Sequence, residues 1–222
     1  MTSPSSSHLK IDFVSDVSCP WCAVGLGSLE AAIARVAPGV TAELHFQPFE
    51  LNPQMPPEGQ DTFEHLNQKY GSTREQQAQM REAIRQRGEA VGFVFNPEGR
   101  PRIYNTFDAH RLLHWAGIVG GQHALKRALF EAYFTNNQSP ADHEVLVAAA
   151  QAADLDADAA REVLASGRYA DEVRAAERHW HQAGISSVPA VIVNDRYLIS
   201  GGQPAAAFER AIRTIAAEAA AG

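Results

Sequence analysis

The stretch "LKIDFVSDVSCPWCAVG", residues 9–25, contains both cysteines of the chain, Cys19 and Cys22. Apolar Leu9, Ile11 and Phe13 alternate with Lys10 and Asp12 ahead of Val14, the pattern of a buried strand, expected here over residues 9–17. From Pro20 the period changes. Leu26, Leu29, Ile33 and Val36 recur at three- and four-residue intervals until Pro38-Gly39 stops the run. The cysteines therefore sit at a strand-to-helix turn. Three residues apart on a helix, their Cβ atoms lie roughly 5 to 6 Å apart, within reach of a disulfide after modest adjustment. Unsatisfied N–H groups and the positive end of the helix dipole favour a thiolate at Cys19, while Cys22 lies one turn further in. This marks Cys19 as nucleophile and Cys22 as resolving thiol. Pro20 suits the first helical turn, and Trp21 offers apolar surface beside the sulfurs. Asp16, three residues before Cys19, would be a proton acceptor for Cys22 if it pointed inward, although an Asp at a strand end is usually solvated.

Working outward, "VTAELHFQPF", residues 40–49, alternates again and completes a strand, helix, strand unit of right-handed type. After the loop "ELNPQMPPEGQ" the pattern is helical for more than a hundred residues, in five or six helices. Asn105 is a candidate N-cap for "NTFDAHRLLHW", with His110 on the same helix. Strand signals return in "SVPAVIVNDRYLISGG", which predicts a hairpin with strands at 189–193 and 197–200 around Asn194-Asp195. A final helix follows with Pro204 at its first position. The domain organisation expected is a disordered tail over 1–8, one α/β domain from 9–59 and 184–222, and an all-helical insertion over 60–183.

The 222 residues are 45% hydrophobic and 20% charged with a formal net charge of −7, ordinary for a globular protein and opposed to a nucleic-acid footprint. No apolar run is long enough to span a membrane, and "MTSPSSSHLK" lacks the basic and apolar regions of a signal peptide. The expectation is a cytoplasmic protein, where a CxxC pair is catalytic, redox-sensing or metal-binding rather than a structural disulfide. A structural zinc site needs four ligands. The chain has no cysteine beyond Cys19 and Cys22 to complete such a set, so the metal reading lacks ligands.

Taken together, "SCPWC", "FELNP", "NTFDAHRL" and "SSVPAVIVNDRYLISGGQP", in this order, resemble the DsbA-like branch of the thioredoxin superfamily, in particular its FrnE-like subgroup, over nearly the whole chain. The resemblance implies a thioredoxin-like α/β fold (βαβ then ββα) interrupted by a large helical insertion. It also implies that Val188-Pro189 is a cis-proline loop facing the dithiol, against a general frequency of cis X-Pro bonds of about 5 to 6%. Pro20, Trp21, Val188 and Pro189 would then form the substrate-binding wall, with the Val188 backbone pairing to an extended substrate. The implied activity is thiol–disulfide exchange with protein or small-molecule thiols and disulfides, in a monomer or homodimer. No cofactor is tightly bound, and glutathione is a candidate redox partner. Kappa-class glutathione transferases and 2-hydroxychromene-2-carboxylate isomerases resemble the chain as well but carry serine where Cys19 stands. A glutathione-dependent isomerase or transferase is thus one alternative, and a redox-sensing binding protein is the other.

Overall fold

The computed structural model describes residues 7–56 and 58–221. β1 (Ser7–Ser15) leads through a short turn into α1 (Pro20–Val36) and then β2 (Val40–Pro48). β1 and β2 run parallel from Ser7 opposite Val40 to Ser15 opposite Pro48. The strand thus starts earlier than periodicity suggested, because Ser7 and His8 pair with Val40 and Thr41 instead of belonging to a tail. Residues 1–6, the remainder of the expected tail, lie outside the described residues.

The insertion opens with β3 (Gln60–Asp61), α2 (Thr62–Tyr70) and α3 (Arg74–Glu89), followed by β4 (Arg102–Ile103). α4 (Phe107–Val119) and α5 (Gln122–Phe130) come next, α5 running into a π-turn over Glu131–Thr135. α6 (His143–Ala152), α7 (Ala157–Ser166) and α8 (Ala170–Gln182) complete it. Seven α-helices are described where the pattern suggested five or six, together with a two-residue antiparallel ladder pairing Gln60 with Ile103. The extra break falls between α2 and α3. Gly71 ends α2 in the left-handed conformation, and Thr73 starts α3 with a reciprocal capping box to Gln76, so local capping overrides a continuous apolar stripe.

The chain then returns to the sheet with β5 (Ala190–Val193), β6 (Tyr197–Ser200) and α9 (Ala205–Ala221). The strand order is β2-β1-β5-β6, with β5 antiparallel to both β1 and β6. Asn194 and Asp195 take positive φ at the hairpin tip, which short Asx side chains tolerate. Pro204 stands just ahead of α9 and supplies a carbonyl to the Ala207 and Phe208 N–H groups. One face of the sheet packs Leu9, Ile11, Phe13 and Val191 against Leu29 of α1 and Phe208 and Ile212 of α9, all buried. The other face meets α8 through Val14, Phe49, Trp180 and Ile192.

β2 is a sheet edge, and its exposed backbone is closed by one side chain of the insertion. The Gln122 Nε2 group donates to the carbonyls of Phe46 and Leu113, each at 3.1 Å, and its Oε1 accepts from the Phe46 N–H at 3.0 Å. The amide thus acts as a short extra strand, covering an edge that would otherwise invite pairing, and it clamps the first turn of α5 to the sheet. Unmaking bonds to buried backbone groups costs about 1 to 3 kcal/mol. Gln122→Ala should lose that much in urea unfolding monitored by circular dichroism, while Gln122→Glu, which lacks the amide N–H donors, should recover less than half. An Ala variant as stable as the parent protein would remove the clamp from the account.

Candidate active site around Cys19 and Cys22

Cys19 is the N-cap of α1, with extended backbone and no side-chain capping bond, and Pro20 fills the first helical position. The Cys22 N–H donates to the Cys19 carbonyl at 3.0 Å, which places both side chains on one side of the first turn. Both thiols are free and buried. The two residues between them, Pro20 and Trp21, are partly exposed and cover the turn. Opposite lies the loop before β5, where the Val188–Pro189 peptide is cis and the Cys19 Sγ approaches the Val188 carbonyl oxygen at 3.7 Å. The structure therefore brings Cys19, Cys22, Pro20, Trp21, Val188 and Pro189 together, although Val188 lies 169 residues from Cys19.

This close approach needs two glycines. A Cβ on Gly25 would come to 3.1 Å from the Pro189 ring and 3.3 Å from the Gly202 Cα, and a Cβ on Gly202 would come to 2.9 Å from the Trp21 carbonyl oxygen. α1 can press against the proline loop and the "SGGQP" turn only because nothing projects there. Two arginines of the insertion flank the turn. Arg100 donates to the Ser18 carbonyl at 2.7 Å, and Arg87 lies over the Trp21 ring at 5.9 Å while donating to the Gly202 carbonyl.

The sulfurs are not equivalent. Burial, and next the adjacent Cys19 sulfur, push the Cys22 thiol well above its usual range. Cys22 is completely buried, whereas Cys19 opens on the helix N-terminus beside the Val188 carbonyl. Such a pair can exchange disulfides in order, the outer sulfur reacting with a partner and the inner one displacing it.

Asp16 does not fit the role of proton acceptor that its position suggested. It is wholly buried and already saturated. Its carboxylate accepts from the Ser18 N–H at 3.0 Å, the Ser18 hydroxyl at 2.9 Å, the Leu51 N–H at 2.6 Å and the Thr106 hydroxyl at 2.8 Å, with the His110 ring at 3.6 Å. Burial alone would raise its carboxyl, but His110 and the backbone N–H donors outweigh burial and hold it at about 2. A group so acidic takes no proton from a thiol. Asn105 likewise differs from its expected place: Thr106 is the N-cap of α4, while the Asn105 side chain accepts from the Phe107 N–H and donates to the Met55 carbonyl, away from the sulfurs. His110 is buried over Asp16 and does not line the outer groove.

One residue near the sulfurs was not singled out by sequence reasoning. Lys126 of α5 is wholly buried, and its Nζ has no hydrogen-bond partner among the described residues. It lies 4.9 Å from the Phe130 ring centre, within the electrostatic influence of Cys22, Asp16 and Cys19. Burial drives its amine down to about 8, although these three neighbours pull it upward. Among the described residues no cluster of three or more His, Cys, Asp or Glu side chains is arranged to hold a metal ion, and "HWH" at 179–181 lies on α8 without further ligands.

Asp16 has a folded-state carboxyl below its usual 3.8, so it adds stability above pH 4 that disappears as pH falls towards 2. A shift of that size corresponds to about 2 kcal/mol. Urea unfolding from pH 5 down to pH 2.5 should show a steeper loss for the parent protein than for Asp16→Asn. Parallel curves would rule out a special contribution from this carboxylate.

Residues 10–213 match the model of the DSBA-like thioredoxin domain family. The crystal structure of a probable DsbA oxidoreductase, SCO1869 from Streptomyces coelicolor, superposes with a TM-score of 0.85 at 37% identity, covering 93% of this chain and 89% of that one. The uncharacterized protein YwbO of Bacillus subtilis is 29% identical over 207 residues, 92% of this chain and 95% of its own length. More distant structures share the fold. A 2-hydroxychromene-2-carboxylate isomerase matches at 14% identity and TM-score 0.68, over 95% of this chain and 98% of that one. The cytosolic disulfide reductase DsbM of Pseudomonas aeruginosa, solved with glutathione, matches at 16% and 0.62, over 92% and 98%. With the dithiol turn, the split sheet and the proline loop all inside the matched segment, the chain belongs to the DSBA-like thioredoxin domain family.

Proposed function

We propose that this protein is a thiol–disulfide oxidoreductase in which Cys19 attacks a substrate disulfide, Cys22 resolves the mixed disulfide, and Val188-Pro189 with Pro20 and Trp21 forms the substrate-binding wall. The observation carrying this reading is the asymmetric pair itself. One sulfur sits at a helix N-terminus 3.7 Å from a backbone carbonyl, and the other is sealed behind it with a raised pKa. The partly exposed Val188 backbone supports pairing with an extended peptide or with glutathione, and Arg87 and Arg100 add positive charge at the rim. Glutathione as a partner is further supported by its presence in the structure of DsbM. A cytoplasmic location is supported by the likeness to the cytosolic disulfide reductase DsbM, and no described helix is long and apolar enough to cross a membrane.

The roles separate cleanly by mutation. Cys19→Ser should lose dithiol-dependent insulin reduction to background, whereas Cys22→Ser incubated with oxidised glutathione should accumulate a mixed disulfide at Cys19 visible by mass spectrometry. Retention of the parent rate by Cys19→Ser would sink the reading. An isomerase or transferase that uses Cys19 alone would instead turn over normally as Cys22→Ser.

A further inference from the structure

We propose that Lys126, supplied by the helical insertion, is the proton acceptor for Cys22 when the mixed disulfide is resolved. The inference rests on the dithiol reading above and adds to it the group that activates the buried thiol. Cys22 has no access to water of its own, and its thiol must lose a proton before the sulfur can attack. Asp16, a buried carboxylate within the field of the same amine, is engaged by four donors and already ionised. Lys126 is the opposite case. Its side chain is wholly buried, its Nζ is unpartnered among the described residues, and Cys22 is the ionisable neighbour that acts on it most strongly.

Its placement follows from the fold. Gln122, one turn earlier, is clamped to the β2 edge at Phe46, and the i+4 relation puts Lys126 on the same face of α5, where its Nζ lies 4.9 Å from the Phe130 ring, a member of the buried cluster that holds Cys19 and Cys22. A cavity of about 230 Å³ runs between β2, α4 and α5 and reaches Lys126. It is lined by His45, His110, His114 and Gln122 and passes exposed Ile118, so the amine has an exit to solvent on the side away from the substrate. The titratable groups facing Lys126 are Cys22 and Cys19 on α1, Asp16 in the turn before it, His110 and His114 on α4, and His45 on β2.

With substrate sulfur RS bonded to Cys19, the Cys22 proton passes to the neutral Lys126 amine. The Cys22 thiolate then attacks the Cys19 sulfur, forming the Cys19–Cys22 bond and breaking the Cys19–SR bond. RS⁻ leaves with the bonding pair and takes a proton from solvent, while the Lys126 ammonium releases its own proton through the cavity. The titrations of Cys22 and Lys126 are thus linked, and an amine held at about 8 is matched to that exchange near neutral pH.

A chromogenic aromatic disulfide, 5,5′-dithiobis(2-nitrobenzoate), reads the two steps separately. Attack by Cys19 releases one thionitrobenzoate, and resolution by Cys22 releases the second. In Lys126→Met the second release should slow at least tenfold at pH 7.5, far more than the first, since each unit of pKa is tenfold in thiolate. Its pH midpoint should move upward from near 8. Lys126→Arg, which keeps the charge but cannot accept a proton, should not restore the midpoint. Parent-like rate and midpoint for the second release in Lys126→Met, or full recovery in Lys126→Arg, would overturn the acceptor role. Absence of the first release in the parent protein would instead overturn the dithiol reading itself.

A measurement on the unaltered chain guards against variants that fail to fold. The chain has three lysines, and Lys10 and Lys69 are exposed references. Carbon NMR of the lysine Cε signals should show Lys126 titrating near 8 in the dithiol form and lower once the disulfide removes the ionisable thiol. A midpoint in the ordinary range near 10.4, or one unmoved by oxidation, would refute the proposal.

Discussion

The buried carboxylate of Asp16 is the constraint on which the rest depends. It lies in the turn between β1 and α1 and receives hydrogen bonds from that turn through Ser18, from the segment after β2 through Leu51, and from the start of α4 through Thr106. Three stretches far apart in sequence meet on two oxygens. A buried charge is tolerated only when its lone pairs are satisfied, so the dithiol turn, the sheet and the insertion are obliged to keep one relative arrangement. The insertion is therefore part of the site's frame. A thioredoxin-like unit cut free of residues 60–183 would leave Asp16 without the Thr106 hydroxyl and the His110 ring.

That frame in turn sets the chemistry at the sulfurs. Gln122 closes the sheet edge and Asp16 fixes α4, so α5 is held against both β2 and α4, and its inward face delivers a lysine to the Phe130 ring in the cluster that holds the cysteines. From the front, glycines at 25 and 202 let the proline loop and the following turn close over the same sulfurs. The site is assembled by burial on one side and by absence of side chains on the other. Both devices act on Cys22, which is sealed, while Cys19 keeps its position at the helix end.

How much of this could be read in advance follows the range of the interactions. The strand, dithiol turn and helix of residues 9–36 are written in a local change of period from two to about 3.6, and the hairpin at 190–200 in an Asn-Asp turn between apolar runs. Family likeness added the proline loop, which no local pattern could link to the cysteines. Helix boundaries in the insertion were less legible, because Gly71 and Thr73 interrupt a sparse apolar stripe that by itself looks continuous. The burial of Asp16 has no local signal, because the Leu51 N–H and the Thr106 hydroxyl that meet it lie 35 and 90 residues away. Lys126 does carry a local signal. In "ALKRALF" it stands three and four residues before Leu129 and Phe130, on the apolar face of α5, where a lysine is out of pattern unless its burial has a use.

Asp16 and Lys126 also show why two buried ionisable groups near one dithiol need not be redundant. An anchor must hold a fixed charge across the working pH range, and a carboxyl at about 2 does so because its donors stabilise only the anion. A proton acceptor must change charge within that range, which requires the reverse environment: few partners, strong desolvation and an opposing group that titrates with it. Lys126 has this environment, with an aromatic ring on one side and the sulfurs and Asp16 within its field. Saturating Lys126 with hydrogen bonds would stabilise its ammonium and end its ability to exchange a proton with Cys22. Stripping donors from Asp16 would loosen the frame that holds α4 beside α5. The unequal satisfaction of these two groups is thus a single design constraint, met by placing the dense donor set in the turn before the cysteines and the bare amine behind them.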